Sequence, residues 1–132
     1  MEELAALDAT AQAEAVRRGD LGRGELVAAA IARLERLDPT LGAMVAPLFE
    51  HAQAETRELD PAAPFAGVPF VMKDLGACFA GQPYYAGNRA LREIDYKAPA
   101  ETYLARRFRL AGLVPIATSK TPEFGLQSTT QP

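Results

Sequence analysis

The side chains best suited to chemistry fall in two short stretches. Lys73 ends the apolar run Gly67-Val68-Pro69-Phe70-Val71-Met72 and is followed at once by Asp74. A lysine at the end of a buried strand ordinarily snorkels to water or pairs with a neighbour such as Asp74. The functional alternative is an amine withdrawn from water, because burial disfavours the ammonium form. A neutral amine is then a general base or a Schiff-base nucleophile. The carboxyl end of a strand is also where open α/β sheets place their sites. The second stretch is Thr121-Pro122-Glu123-Phe124-Gly125. Glu123 reads either as a carboxylate at a helix N-terminus, just after a proline, or as a site acid. Ser128, Thr129 and Thr130 offer pocket hydroxyls, although loops of this composition are common. Cys78 reads as a small buried residue, since no histidine lies near it in sequence to activate it.

Composition removes most other chemistries. The chain has 132 residues, enough for one small domain or a piece of a larger one. With 48% hydrophobic and 23% charged residues it can bury a core. A net charge of -3 gives no electrostatic footprint for nucleic acid. Arg106, Arg107 and Arg109, beside Glu101, read as a solvated helix face. No apolar run approaches the roughly 18 residues that span a bilayer. Met1-Glu2-Glu3 is acidic where a secretory signal would be basic, and a single cysteine fits a reducing cytoplasm. The one histidine, His51, leaves no histidine-based metal site and no Ser-His-Asp triad within the chain. No cofactor or metal is expected, and His51 reads as a surface or boundary residue.

The elements that must position these residues alternate in type. A first helix is expected over Leu7 to Arg18, with Asp8 as cap and Gly19 as stop. A second runs from Arg23, its stripe of Leu26, Val27, Ala30, Ile31, Leu34 and Leu37 facing inward, and ends at Asp38-Pro39. The two helices should pack as an αα-hairpin or onto a larger body. Met44-Val45-Ala46 is a short strand, followed by a helix from Phe49 to Leu59 with Ala52 and Leu59 inward and Glu50, Glu55, Arg57 and Glu58 outward. Asp60-Pro61-Ala62-Ala63-Pro64 is a turn-rich connector. The Lys73 strand is apolar on both sides, as in strands covered by helices on both faces, and Pro69 is tolerable near its start. Residues 76–98 show no period, with Gly87 and Asn88 among the turn markers. A helix from Pro99 to Ala111 turns Leu104 and Phe108 inward, and Leu113 to Thr118 forms another strand. The pattern implies an α/β fold with a partly parallel sheet. Two or three strands leave exposed edges, so the chain reads as the N-terminal part of a larger domain.

At this point the sequence resembles a known family. Pro64 to Asp74 looks like the segment carrying the catalytic lysine of the amidase signature family. Ala111 to Gly125, which includes Thr121-Pro122-Glu123-Phe124-Gly125, is similar to that family's next block. Asp8 to Ala13 and Pro47 to Glu50 resemble its 6-aminohexanoate-cyclic-dimer hydrolase branch. The resemblance covers nearly the whole chain and implies one amidase-signature domain of which residues 1–132 are the N-terminal portion, helical over 1–60 and strand-forming over 61–132. Members commonly carry Gly-Lys-Thr-Asn where this chain has Ala117-Thr118-Ser119-Lys120, so no asparagine role transfers. Of the family's Ser-cisSer-Lys triad only the lysine maps here, onto Lys73. Asp74 and Glu123 would support it, and Gly125, Ser128 and Thr129 would border the substrate pocket.

The resemblance implies amide-bond hydrolysis on linear C–N bonds. The expected partners are a small-molecule amide and the remaining, C-terminal part of the amidase, with a homodimer as a further option. Alone, these residues should be inactive. The competing readings are a non-catalytic interaction module that associates with another chain, and an aldolase-like Schiff-base lysine.

Overall fold

The computed structural model describes residues 4 and 6–130. Helix α1 (Ala9–Arg18) starts where expected, with the Asp8 carboxylate accepting from the Ala11 amide at 2.8 Å. It stops at Gly19, whose φ of 79° is left-handed. Helix α2 (Arg23–Leu41) buries Leu26, Val27 and Ile31. Contrary to expectation it runs straight through Pro39 and ends at Gly42. Two contacts offset the proline's missing donor and the crowding it imposes on Asp38. The Gly42 amide donates to the Asp38 carbonyl at 2.7 Å. The Asp38 carboxylate then accepts from the amides of Ala43 and Met44 at 2.7 and 2.8 Å, so one side chain both closes the helix and launches the next strand.

Strand β1 (Met44–Pro47) leads into α3 (Phe49–Glu58), and β2 (Val68–Lys73) follows the connector. Residues 76–98, expected to be without structure, contain a short helix α4 (Arg89–Glu93), capped by the Asn88 side chain, and a bridge from Pro83 to Lys97. Helix α5 (Tyr103–Leu110) begins later than predicted, because the Thr102 hydroxyl, rather than Pro99, sets its N-terminus. Strand β3 (Leu113–Ser119) completes the sheet. Among the described residues no helix is long and apolar enough to cross a membrane.

The sheet order is β1-β3-β2, with β2 parallel and β1 antiparallel to β3. The central strand is therefore the last in sequence. Pro115 lies within it and has no ladder donor to give. The register steps at that point, from Phe70 opposite Pro115 to Val71 opposite Ala117, which leaves Ile116 as an extra residue. A second irregularity, between Met44 and Ala46, bends β1.

Helices cover both faces of β3. On one side α2 and α3 bring Val27, Ile31, Ala52 and Leu59 against Val114 and Ile116. On the other, Ala105 of α5 joins Met72, Ala77 and Phe79, with Phe70 and Phe108 meeting edge-on at 5.1 Å. Of the two packing arrangements expected for the first helices, α2 takes the second, lying on α3 and the sheet, while α1 rests on β2. The strand buried on both faces is β3, not β2. Val71 on β2 is 42% exposed, because β2 is an edge and α2 leaves a groove of about 280 Å³ beside it, lined by Leu37, Leu41, Pro69 and Val71.

Three side chains depart from the helical periodicity, and the first, Leu37, expected inward, is 37% exposed beside that groove. Leu104 is exposed, and Ala105 takes the inward position. Glu55, expected outward, is buried with 7% exposure. Its carboxylate lies 3.3 Å from His51 Nε2 at an angle that does not make a hydrogen bond, and the imidazole stacks obliquely on Phe79 at 5.1 Å. The contact between α3 and the Phe79 cluster is thus partly polar, which an outward-facing glutamate would not supply.

Candidate functional site

Parallel pairing sets β2 and β3 side by side at their carboxyl ends, with Lys73 opposite Ser119. The Lys73 side chain is exposed at this edge. One residue on, the chain turns inward. The Asp74 amide donates to the Ser119 carbonyl at 3.1 Å, which carries the pairing past the end of the strand. Its carboxylate is buried at 1% exposure.

That carboxylate organises the loop that follows β2. Asp74 Oδ1 accepts from the Tyr85 amide at 3.0 Å and Oδ2 from the Gly87 amide at 3.4 Å. Burial raises the Asp74 carboxyl above its ordinary value, and the amides of Tyr85, Gly87 and Ala86 pull it partly back. The Tyr85 hydroxyl donates to Asp95 at 2.5 Å, and Lys97 reaches the same carboxylate at 2.9 Å. Burial, with Asp95 alongside, pushes the Tyr85 phenol up to about 12. The hydrogen bond from Tyr85 in turn holds Asp95 below the usual carboxylate value. Residues 74–97 are therefore tied at both ends of one tyrosine.

The loop after β3 closes against this one. Phe124 donates its amide to the Ala86 carbonyl at 2.8 Å, and the Asn88 side chain donates to Glu123 Oε1 at 2.6 Å. Ala86 and Phe124 are both left-handed, with φ of 51° and 49°. Non-glycine residues in that region cost about 1–3 kcal/mol each and tend to sit where the surroundings force them. Gly87, φ 69°, approaches so closely that a Cβ there would lie 2.6 Å from the Thr121 carbonyl oxygen. Only glycine fits this crossing.

These loops bound a cavity of about 340 Å³ at the carboxyl ends of β2 and β3. Asp74, Tyr85, Asn88, Arg92, Lys120 and Thr121 are among its walls. Of the residues singled out from sequence, Asp74 lines it and Thr130 reaches its rim, whereas Lys73, Gly125, Ser128 and Thr129 do not. Ser128 and Thr129 are exposed. Gly125 rests against the Leu75 side chain, which places the Glu123–Gly125 turn beside the chain leaving Lys73. Glu123 follows Pro122 at the start of that turn, so its helix-terminal reading describes its position, and the bond to Asn88 describes its contact. Cys78 is buried, and burial raises its thiol. Among the described residues no cluster of His, Cys, Asp and Glu is arranged to hold a metal. Arg92, Lys120 and the Tyr85–Gly87 backbone were not marked by sequence reasoning. The turn signals at Gly87 and Asn88 were their only trace.

The comparisons with known proteins agree with this architecture. The family profile described as Amidase matches residues 25–132. Over 125 residues the chain is 42% identical to the 6-aminohexanoate-cyclic-dimer hydrolase of Paenarthrobacter ureafaciens, covering 95% of this chain and 25% of that protein. A solved structure of 6-aminohexanoate cyclic dimer hydrolase superposes with a TM-score of 0.90 at 40% identity, over 96% of this chain and 26% of the other. A bacterial aryl acylamidase of the amidase signature enzymes superposes with a TM-score of 0.83 at 26% identity, over 94% of this chain and 27% of the other. The chain thus spans about a quarter of the length of the relatives it matches.

Proposed function

The chain belongs to the amidase signature family, and from that premise we propose that the complete protein hydrolyses amide bonds with Lys73 as its general base. One observation carries the reading: the lysine stands at the carboxyl end of the edge strand, beside two loops locked together by Asp74, Gly87 and the Phe124–Ala86 bond. The lysine's backbone is fixed by pairing with Ser119, and its side chain is exposed.

In the mechanism that the family resemblance implies, Lys73 takes a proton from a cis-serine, which takes one from a nucleophilic serine. Neither serine lies in these residues. The serine attacks the amide carbonyl, backbone amides stabilise the oxyanion, and water resolves the acyl-enzyme. Lys73 returns its proton to the leaving amine by the same route. Because its side chain is exposed here, this role requires the rest of the enzyme to cover the amine and withdraw it from water. Asp74 acts as a positioning residue through the Tyr85 and Gly87 amides, and Glu123 does so through Asn88. Gly125, Ser128 and Thr129 border the entrance to the substrate pocket.

Replacing Lys73 by alanine in the complete protein should lower amide hydrolysis by about a hundredfold or more, the scale of a lost general base. The variant should still fold, because β2 pairs with β3 through its backbone at Lys73, and cooperative thermal unfolding would show it. A second reading, a non-catalytic module that associates with another chain, is favoured by the open β2 edge and the apolar groove beside it. Wild-type turnover by Lys73→Ala would refute the first reading and leave the second.

A further inference from the structure

The cavity at the carboxyl ends of β2 and β3 has an unbalanced wall. Arg92 and Lys120 both line it, and among the described residues neither is paired with a carboxylate. The acids nearby are already committed. Asp74 turns its oxygens to the Tyr85 and Gly87 amides, Glu93 holds Arg89 at 2.7 Å, and Glu123 accepts from Asn88. Lys120 is half-buried, and its ammonium lies close to Gly42 at the carboxyl end of α2, which favours a cation there. Thr121, only 6% exposed, also contributes to the wall, but its Oγ1 is buried beneath the surface and does not open onto the cavity.

We propose that this cavity binds the carboxylate of an amide substrate, gripped by Lys120 and Arg92. The inference rests on the amide-hydrolase reading and narrows it to amides that carry an acid group. Asp74 lies in the cavity wall and follows directly on Lys73, with both of its oxygens engaged by the Tyr85 and Gly87 amides. A bound acid would sit at the same carboxyl end of the sheet as Lys73. The volume of about 340 Å³ accommodates a short aliphatic acid.

The test uses the complete protein and two matched probes, 4-acetamidobutyrate and its methyl ester. The acid-over-ester ratio of kcat/KM should fall about tenfold in Lys120→Gln and again in Arg92→Gln, as expected for losing one charge-assisted hydrogen bond. Arg92 is exposed, so its variant separates binding from any failure to fold. An unchanged ratio in both variants would overturn the inference. Calorimetric titration with hexanoate and hexanamide tests the site apart from catalysis. Binding of hexanoate but not hexanamide, lost in both variants, supports the acid site even in a protein that hydrolyses neither probe, a result that would refute only the amide-hydrolase reading. Hydrolysis without hexanoate binding would sink the acid site and leave amide hydrolysis standing.

Discussion

Replacing Asp74 by alanine tests whether a single buried carboxylate holds the two loops of the site. The side chain accepts from the Tyr85 amide at 3.0 Å and, more weakly, from the Gly87 amide at 3.4 Å. Alanine would leave both donors without a partner, at about 1–3 kcal/mol for the shorter bond and less for the longer, or about 2–4 kcal/mol together. The loss should be local, because these bonds tie residues 85–88 and not the sheet itself. Hydrogen exchange at the Tyr85 and Gly87 amides of the complete protein is therefore the direct readout. At tenfold per 1.4 kcal/mol, protection should drop by about 30- to 700-fold. Asp74→Asn keeps an acceptor for Tyr85 and removes the cost of a buried charge, so its drop should be smaller. The pH dependence carries a definite sign. The folded carboxyl is raised above its ordinary 3.8, so its contribution to stability is complete below that value and is lost as pH rises through the folded value. Unchanged protection in Asp74→Ala, or a larger loss in Asp74→Asn than in Asp74→Ala, would refute this account of the loop.

Two further outcomes follow from contacts in the same region. Gly87→Ala should destabilise the complete protein by about 2 kcal/mol or more, by left-handed strain together with the clash against the Thr121 carbonyl, and thermal unfolding would show it. Spectroscopic titration should find one phenol, Tyr85, ionising near its raised value of about 12. Stability should then fall as pH climbs from the unfolded value of about 10 toward that value, and this decline should vanish in Tyr85→Phe.

Much of this architecture was legible in the sequence, and the exceptions share a physical cause. Helix ends declared themselves at Asp8 and Gly19, and Leu113 to Thr118 was visible as a strand because apolar β-branched residues lie between turn signals. The strong family resemblance of Pro64 to Asp74 agreed with the profile match and the superposed structures. Local rules misled where a side-chain contact or the layer packed above decided the outcome. Pro39 should have broken its helix, but the Asp38 side chain satisfied the amides beyond it. Glu55 looked like a surface acid, yet it is buried beside His51, one turn earlier, whose ring packs on Phe79 from another layer. Val68 to Lys73 has the composition of a central strand, yet β3 takes that place and leaves Val71 half open. The cavity was least visible of all. Arg92 and Lys120 are 28 positions apart in sequence and share one cavity wall because two loops cross at Gly87, a crossing that no local pattern encodes.

The sheet order has a consequence for how the chain is made. Because β3 lies between β1 and β2, the first two strands leave the ribosome with no neighbour of their own to bond. At the known pace of synthesis, about 5–20 residues per second, the stretch from Lys73 to Ser119 takes several seconds to emerge. Throughout that interval the Lys73 strand is a bare edge, open to other nascent chains. Synonymous codons between β2 and β3 that slow translation should lower soluble yield without changing a residue of the finished protein.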